Sequence, residues 1–253
     1  SIWGGEDLHI GLYDSTTNIR QASDTIVDRM VQALPELTAN HRILDIGSGY
    51  GGSMRRIVKQ YGCQATCLNL SEIQNDTNRL KIRQAGLLGM IEVRHGAFES
   101  IPENDESFDT VWSQDALLHS DQRTQVLHEV WRVLKPGGSF VFTDPCQADE
   151  VPKGAMQAVY DRLQLNSLAS FRFYRDAAST IGFELERQED MTEHLRTHYS
   201  RVHEELTRRY NELLSKDVSA QYLDQMLVGL DNWVRAADKG YLAWGVHLLR
   251  KPK

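Results

Sequence analysis

Nine consecutive residues, Leu44-Asp45-Ile46-Gly47-Ser48-Gly49-Tyr50-Gly51-Gly52, constrain this chain more than any other stretch. A short apolar run over 42–46 reads as a buried strand. It ends in glycines, and from Ser53 onward Met54, Ile57 and Val58 recur on one helical face. The unit is a strand, a glycine-rich turn and a helix N-terminus. Such a turn brings backbone N–H groups and the positive end of a helix up to a ligand.

The segments that follow alternate. Strand candidates at 65–69, 91–95, 109–113 and 139–143 are separated by helix candidates at 71–85 and 122–134, the second closed by Lys135-Pro136-Gly137-Gly138. That order predicts an α/β fold, a parallel sheet with helices on both faces. Before the glycine turn, Ile26, Met30, Ala33 and Leu34 mark a helix over 22–34, stopped by Pro35. Beyond residue 150 the pattern changes: 151–170, 175–181 and 199–237 read as helical, with strands at 183–187 and 241–249. Val202, Leu206, Tyr210 and Leu213 form one amphipathic face. These late helices, at 150–180 and 193–240, are expected to cover the carboxyl edge of the sheet as a lid, with 1–40 as an N-terminal covering segment, all within one domain spanning 1–253.

Composition narrows the partners. A net charge of −7 argues against a nucleic-acid binder, which needs a basic face. Cys63, Cys67 and Cys146 are odd in number and fit no Cys-x-x-Cys spacing, so they read as reduced thiols of a cytoplasmic protein. No apolar run is long enough to span a membrane, and no signal-peptide pattern opens the chain. A small-molecule substrate and a monomer or homodimer are the expectation. His194 and His198 lack a third ligand at zinc spacing, so no metal is expected.

Gly47, Gly49 and Gly52 also fit the dinucleotide spacing, so Asp45 has to discriminate. A carboxylate at that point repels a pyrophosphate and suits a ligand carrying an ammonium or sulfonium, which favours S-adenosylmethionine over NAD. Asn69 ends the next strand, 22 residues after Gly47, where a ribose-binding group stands in nucleoside-binding sheets. Ala97 and Phe98 follow the third strand and could flank an adenine. After the fourth strand comes Trp112-Ser113-Gln114-Asp115-Ala116-Leu117-Leu118-His119, which gathers polar and titratable groups where the ligand crevice of an open sheet lies. The segment Trp3 to Tyr13, rich in glycine, aromatics and charge, reads as a piece that docks over something.

These segments resemble the class I S-adenosylmethionine-dependent methyltransferases and, among them, the sarcosine/dimethylglycine N-methyltransferases that form glycine betaine. The resemblance is carried by Gly4-Gly5-Glu6-Asp7-Leu8-His9-Ile10-Gly11-Leu12-Tyr13, Asp45 to Gly52, Cys67-Leu68-Asn69-Leu70, Trp112 to Ser120, Leu134 to Gly137, Thr143-Asp144-Pro145, Tyr174-Arg175 and His198-Tyr199-Ser200. It implies a Rossmann-like, mostly parallel seven-stranded sheet with a late helical lid, and N-methylation of sarcosine and/or dimethylglycine by in-line displacement. As cofactor-binding residues it implies Asp45, Gly47, Ser48, Gly49, Asn69, Leu70, Gln74, Ala97, Phe98 and Gln114. Asp115, His119 and Tyr13 become the expected catalytic group: Asp115 attracts the ammonium, His119 accepts its proton, and Tyr13 pairs with His119 to close the site. Arg175, beside Tyr174, is expected to clamp the substrate carboxylate, with His198 and Tyr199 adding neutral hydrogen bonds. Two alternatives stay open. Phosphoethanolamine methyltransferases carry a similar stretch after the fourth strand, although Gln114 stands where they have a basic residue. The other is a regulator that binds the cofactor without turnover.

Overall fold

The computed structural model describes residues 7–253, without the side chain of Arg162. Trp3, Gly4, Gly5 and Glu6 of the N-terminal motif lie outside the described residues. The first helix, α1 (Ile19–Ala33), starts at Asn18, whose side chain accepts the Gln21 N–H. Then follow β1 (Arg42–Ile46), α2 (Gly52–Tyr61), β2 (Gln64–Asn69), α3 (Glu72–Gln84), β3 (Ile91–His95) and β4 (Phe108–Gln114). A single 3-10 turn at Leu117–His119 leads to α4 (Arg123–Val133) and β5 (Leu134–Thr143).

The second half holds β6 (Cys146–Gln147), α5 (Gln157–Leu163), α6 (Phe171–Ile181), β7 (Glu184–Asp190), α7 (Thr192–Arg208), α8 (Tyr210–Leu214), α9 (Ala220–Asp238), β8 (Leu242–Ala243) and β9 (Gly245–Arg250). The main sheet has seven strands in the order β3-β2-β1-β4-β5-β9-β7. Its first five strands run parallel, and β9 runs antiparallel between β5 and β7. The order reverses beside β1, so β1 and β4 part at their carboxyl ends and leave a crevice there.

Two apolar layers cover the sheet. On one face Ile26 and Met30 of α1 and Met54, Ile57 and Val58 of α2 pack on Ile43, Trp112 and Val141. On the other, Val126, Leu127 and Val130 of α4 and Tyr174 and Ala178 of α6 pack on Leu44, Val111, Phe140 and Phe142. The late helices therefore divide. Helix α6 belongs to the body of the fold, whereas α5, α7 and α9 pack together at the carboxyl edge.

Three sequence expectations need correction. The stretch 151–170 forms only the short helix α5. The helical run over 199–237 breaks into three helices: Arg209 leaves helical geometry between α7 and α8 (φ −99°, ψ 7°), and before α9 Asp217 turns left-handed (φ 62°) and Ser219 caps the helix through the Tyr222 N–H. The last strand splits into β8 and β9 at Trp244. Among the described residues no helix is long and apolar enough to cross a membrane.

Candidate active site

The crevice is a cavity of about 560 Å³ at the carboxyl edge. The glycine turn forms its floor, the ends of β2 and β4 its sides, and residues 7–10, Leu163 of α5 and Tyr199 of α7 its cover. Local backbone chemistry sets the turn. Gly47 has φ 77°, and a Cβ there would sit 2.4 Å from that of Ala116. Its N–H and that of Ser48 both donate to the Leu68 carbonyl, which ties β1 to β2. Gly52 opens α2, and its N–H donates to Asp7 Oδ1 at 2.8 Å. The positive helix end that would hold a pyrophosphate in a dinucleotide fold is thus taken by a carboxylate of the chain itself.

Asp45 lies buried in the cavity wall. Burial, then the neighbouring Asp7 charge, pushes its carboxyl well above the usual carboxylate range. A cation bound here would favour the ionised form. Asn69 donates to Gln74 Oε1 at 3.0 Å, so this amide pair presents both donors and acceptors at the end of β2. Gln114 is held by Ser53 Oγ (2.6 Å) and Trp112 Nε1 (3.0 Å), both donating to its Oε1. Its buried Nε2 has no partner among the described residues. An unmet buried donor costs about 1–3 kcal/mol, which an acceptor on a ligand would offset. The positions expected to hold the cofactor, Asp45, Gly47, Ser48, Gly49, Asn69, Leu70, Gln74, Ala97, Phe98 and Gln114, all line this one cavity.

The expected catalytic group is divided. Asp115 lines the cavity with a left-handed backbone (φ 51°), a conformation Asp tolerates better than most residues. Its Oδ2 accepts the Ile10 N–H at 2.6 Å and its Oδ1 accepts Trp244 Nε1 at 2.8 Å. Burial raises its carboxyl, while those two bonds and the nearby His9 oppose the shift. His119 lines the cavity mouth and is exposed; desolvation of its ring and the Arg123 guanidinium lower its basicity.

Tyr13 does not pair with His119. Its hydroxyl lies 2.8 Å from His198 Nδ1, behind the cavity wall, and burial raises the phenol above its ordinary range. His198 is buried, also accepts the Gly11 N–H, and is pushed down to about 3 by burial and by His9. Tyr13 and His198 together fasten residues 11–13 to α7. Tyr199, the next residue, does reach the cavity and stacks on Trp233 at 4.7 Å.

The expected carboxylate clamp is also displaced. Tyr174 is buried on the opposite face of the sheet, against Phe142, with its hydroxyl donating to Asp144 Oδ2 at 2.7 Å. Arg175 sits on the outside of α6, nearly half exposed at 47%, and pairs with Asp176 at 3.2 Å. The reason is that α6 packs on α4 as part of the body, which leaves α5 alone as the cover from that region. Asp144 accepts the Leu118 N–H at 2.9 Å and so holds the turn that carries His119; burial pushes its carboxyl up to about 7. Arg123 donates to the carbonyls of Leu118 and Ser167, tying the same turn to the base of the cover.

Sequence reasoning singled out the N-terminal segment but gave Asp7 and His9 no site role, yet both line the cavity. The signal available was the density of charge and aromatics in a stretch that precedes the first helix. Among the described residues no lysine or arginine lines the cavity, whereas the carboxylates of Asp7, Asp45, Glu99 and Asp115 do.

A methyltransferase-domain family model matches residues 44–142. A sarcosine/dimethylglycine N-methyltransferase from Halorhodospira halochloris is 47% identical over 99% of this chain and 90% of its own length. A dimethylglycine N-methyltransferase from Parasynechococcus marenigrum is 42% identical over 99% and 90% respectively. A crystal structure from Galdieria sulphuraria, described as a sarcosine dimethylglycine methyltransferase, superposes with a TM-score of 0.93 at 37% identity, covering 99% of this chain and 96% of that one. On identities of this size over nearly the whole length, the chain belongs to the sarcosine/dimethylglycine N-methyltransferases, enzymes of the class I S-adenosylmethionine-dependent fold.

Proposed function

We propose that the protein methylates the nitrogen of sarcosine and dimethylglycine, ending at glycine betaine. The carrying observation is the charge of the cavity: four carboxylates line it, and no lysine or arginine does so among the described residues. Such a wall favours an ammonium and a sulfonium and opposes a phosphate dianion. This sets phosphoethanolamine aside as substrate, and Asp7 on the α2 N-terminus sets a pyrophosphate cofactor aside for the same reason. The names of the relatives share dimethylglycine as substrate.

S-Adenosylmethionine, when bound, supplies an electrophilic methyl group on sulfur. Gly47, Ser48, Gly49 and the free amide nitrogen of Gln114 would receive its amino-acid end, with Asp45 near the ammonium. Asn69 and Gln74 would meet the ribose hydroxyls, and Leu70, Ala97 and Phe98 would border the adenine. The protein contributes position, a cover that excludes water, and handling of one proton, because only a neutral amine can attack. Asp115 stands where the ammonium would enter. With Arg175 and Tyr174 elsewhere, His119 is the group at the cavity mouth that would donate to the substrate carboxylate, with Tyr199 of the cover beside it. His9, Asp115 and His119 are polar groups beyond those a cofactor needs, which favours turnover over a binding-only regulator.

Incubation with methyl-labelled cofactor and, separately, glycine, sarcosine, dimethylglycine and phosphoethanolamine tests this. Labelled dimethylglycine and betaine are expected from sarcosine and dimethylglycine. Label in phosphoethanolamine alone, or cofactor binding without transfer to any amine, would refute it.

A further inference from the structure

Three imidazoles surround the substrate end of the site, and they differ in their exposure and in what their ring nitrogens bond. His198 is held neutral by burial and already accepts the Tyr13 hydroxyl. His119 stands at the exposed mouth beside Arg123, a cation that opposes a second positive charge. His9 is only 6% exposed, lines the cavity and stands within electrostatic reach of Asp115.

The orientation of His9 is fixed from behind. Its Nε2 lies 2.8 Å from Ser23 Oγ and 3.2 Å from the Ser23 carbonyl oxygen. A carbonyl only accepts, so Nε2 carries the hydrogen and the lone pair sits on Nδ1. Among the described residues no group bonds Nδ1. An acceptor behind one ring nitrogen and an open lone pair on the other is the arrangement that orients a histidine base. The adjacent Ile10 N–H is bound to Asp115, so ring and carboxylate are held in register by neighbouring residues.

We propose that His9, rather than His119, is the catalytic residue that takes the proton from the substrate ammonium. This rests on the reading of the substrate as a small zwitterionic amine. The N–H bond of the ammonium breaks and an Nδ1–H bond forms, giving an imidazolium beside the Asp115 carboxylate. The freed lone pair on nitrogen then forms the N–C bond as the S–C bond breaks, with that electron pair staying on sulfur. The proton returns to water through the cavity mouth. Titratable groups around the ring are Asp115 after β4, His198 on α7, Asp7 on its own segment, and Asp45 across the cavity. Arg20 and Asp24 of α1, Arg55, Arg56 and Lys59 of α2 and Lys81 of α3 line the groove on the other side of His9.

The first test needs no variant. ¹⁵N spectra of histidine-labelled wild type should show His9 as the Nε2–H tautomer, and an Nδ1–H tautomer would overturn the assignment. The second compares wild type with His9→Gln and His9→Ala on dimethylglycine from pH 6.5 to 9.5, with folding checked by circular dichroism. We expect kcat to fall roughly 100-fold or more near pH 7. The deficit should narrow as pH rises, since the neutral amine fraction grows about tenfold per pH unit. Added imidazole should restore part of the His9→Ala activity, and adenosylhomocysteine affinity by calorimetry should stay within about threefold. An unchanged pH profile, or a pH-independent deficit that imidazole does not relieve, would refute the proposal. Wild type inactive on dimethylglycine would instead sink the functional reading, while the tautomer remains measurable.

Discussion

Replacing Asp144 by Asn tests the electrostatics beneath the site. The carboxyl is fully buried and titrates at about 7 in the fold against 3.8 in the open chain, because desolvation outweighs the bonds from Tyr174 and Leu118. A carboxyl raised in this way favours folding while protonated. Its contribution is complete below pH 3.8 and is lost progressively as pH rises to about 7. With those two values, linkage gives a loss of about 2.5 kcal/mol between pH 5 and pH 8. Asn cannot titrate but keeps the shape and can still accept the Leu118 N–H, while the Tyr174 hydroxyl turns to accept. Any constant cost of that rearrangement cancels when the two pH values are subtracted. Urea unfolding of both proteins at pH 5 and pH 8, at equal ionic strength, should show the variant gaining about 2.5 kcal/mol on wild type over the interval. A gain under 0.5 kcal/mol, or a relative loss, would refute the claim that burial dominates at Asp144.

Two further substitutions probe the site from opposite directions. Gly47→Ala puts a side chain at φ 77° and 2.4 Å from Ala116 Cβ, so it should cost about 2–3 kcal/mol of stability and weaken adenosylhomocysteine at least tenfold in calorimetry. Arg175→Ala should leave stability within about 0.5 kcal/mol and KM for dimethylglycine within about twofold, since the side chain is nearly half exposed and pairs with Asp176 on its own helix; a large rise in KM would return Arg175 to the carboxylate.

The cofactor half of the site was legible because its chemistry is local in sequence. One strand, one turn and one helix carry Asp45 to Gly52, and the alternation of apolar segments places Asn69, Phe98 and Gln114 at successive strand ends along the same edge. The substrate half was not, because it depends on which way late helices pack. An amphipathic helix such as 171–181 reads the same whether it covers a cavity or a sheet. Only the tertiary structure shows Tyr174 against Phe142 and Arg175 outside. The same holds for His119 and Tyr13. They stand at sensible positions in the chain, but Tyr13 is bonded to His198, 185 residues away. Spacing in sequence carries no information about a bond of that reach.

Asp115 has a consequence for the order in which the enzyme becomes whole. Its two bonds reach back 105 residues to Ile10 and forward 129 residues to Trp244. Ribosomes add about 5–20 residues per second, so roughly 6–26 s pass between the synthesis of Asp115 and that of Trp244. Through that interval the glycine turn and β1 to β4 can form, but the carboxylate at the substrate end lacks its Trp244 donor, and β9 is not yet available to close the sheet between β5 and β7. Truncation before Trp244 would therefore leave a chain with its glycine turn made and its substrate wall unfinished.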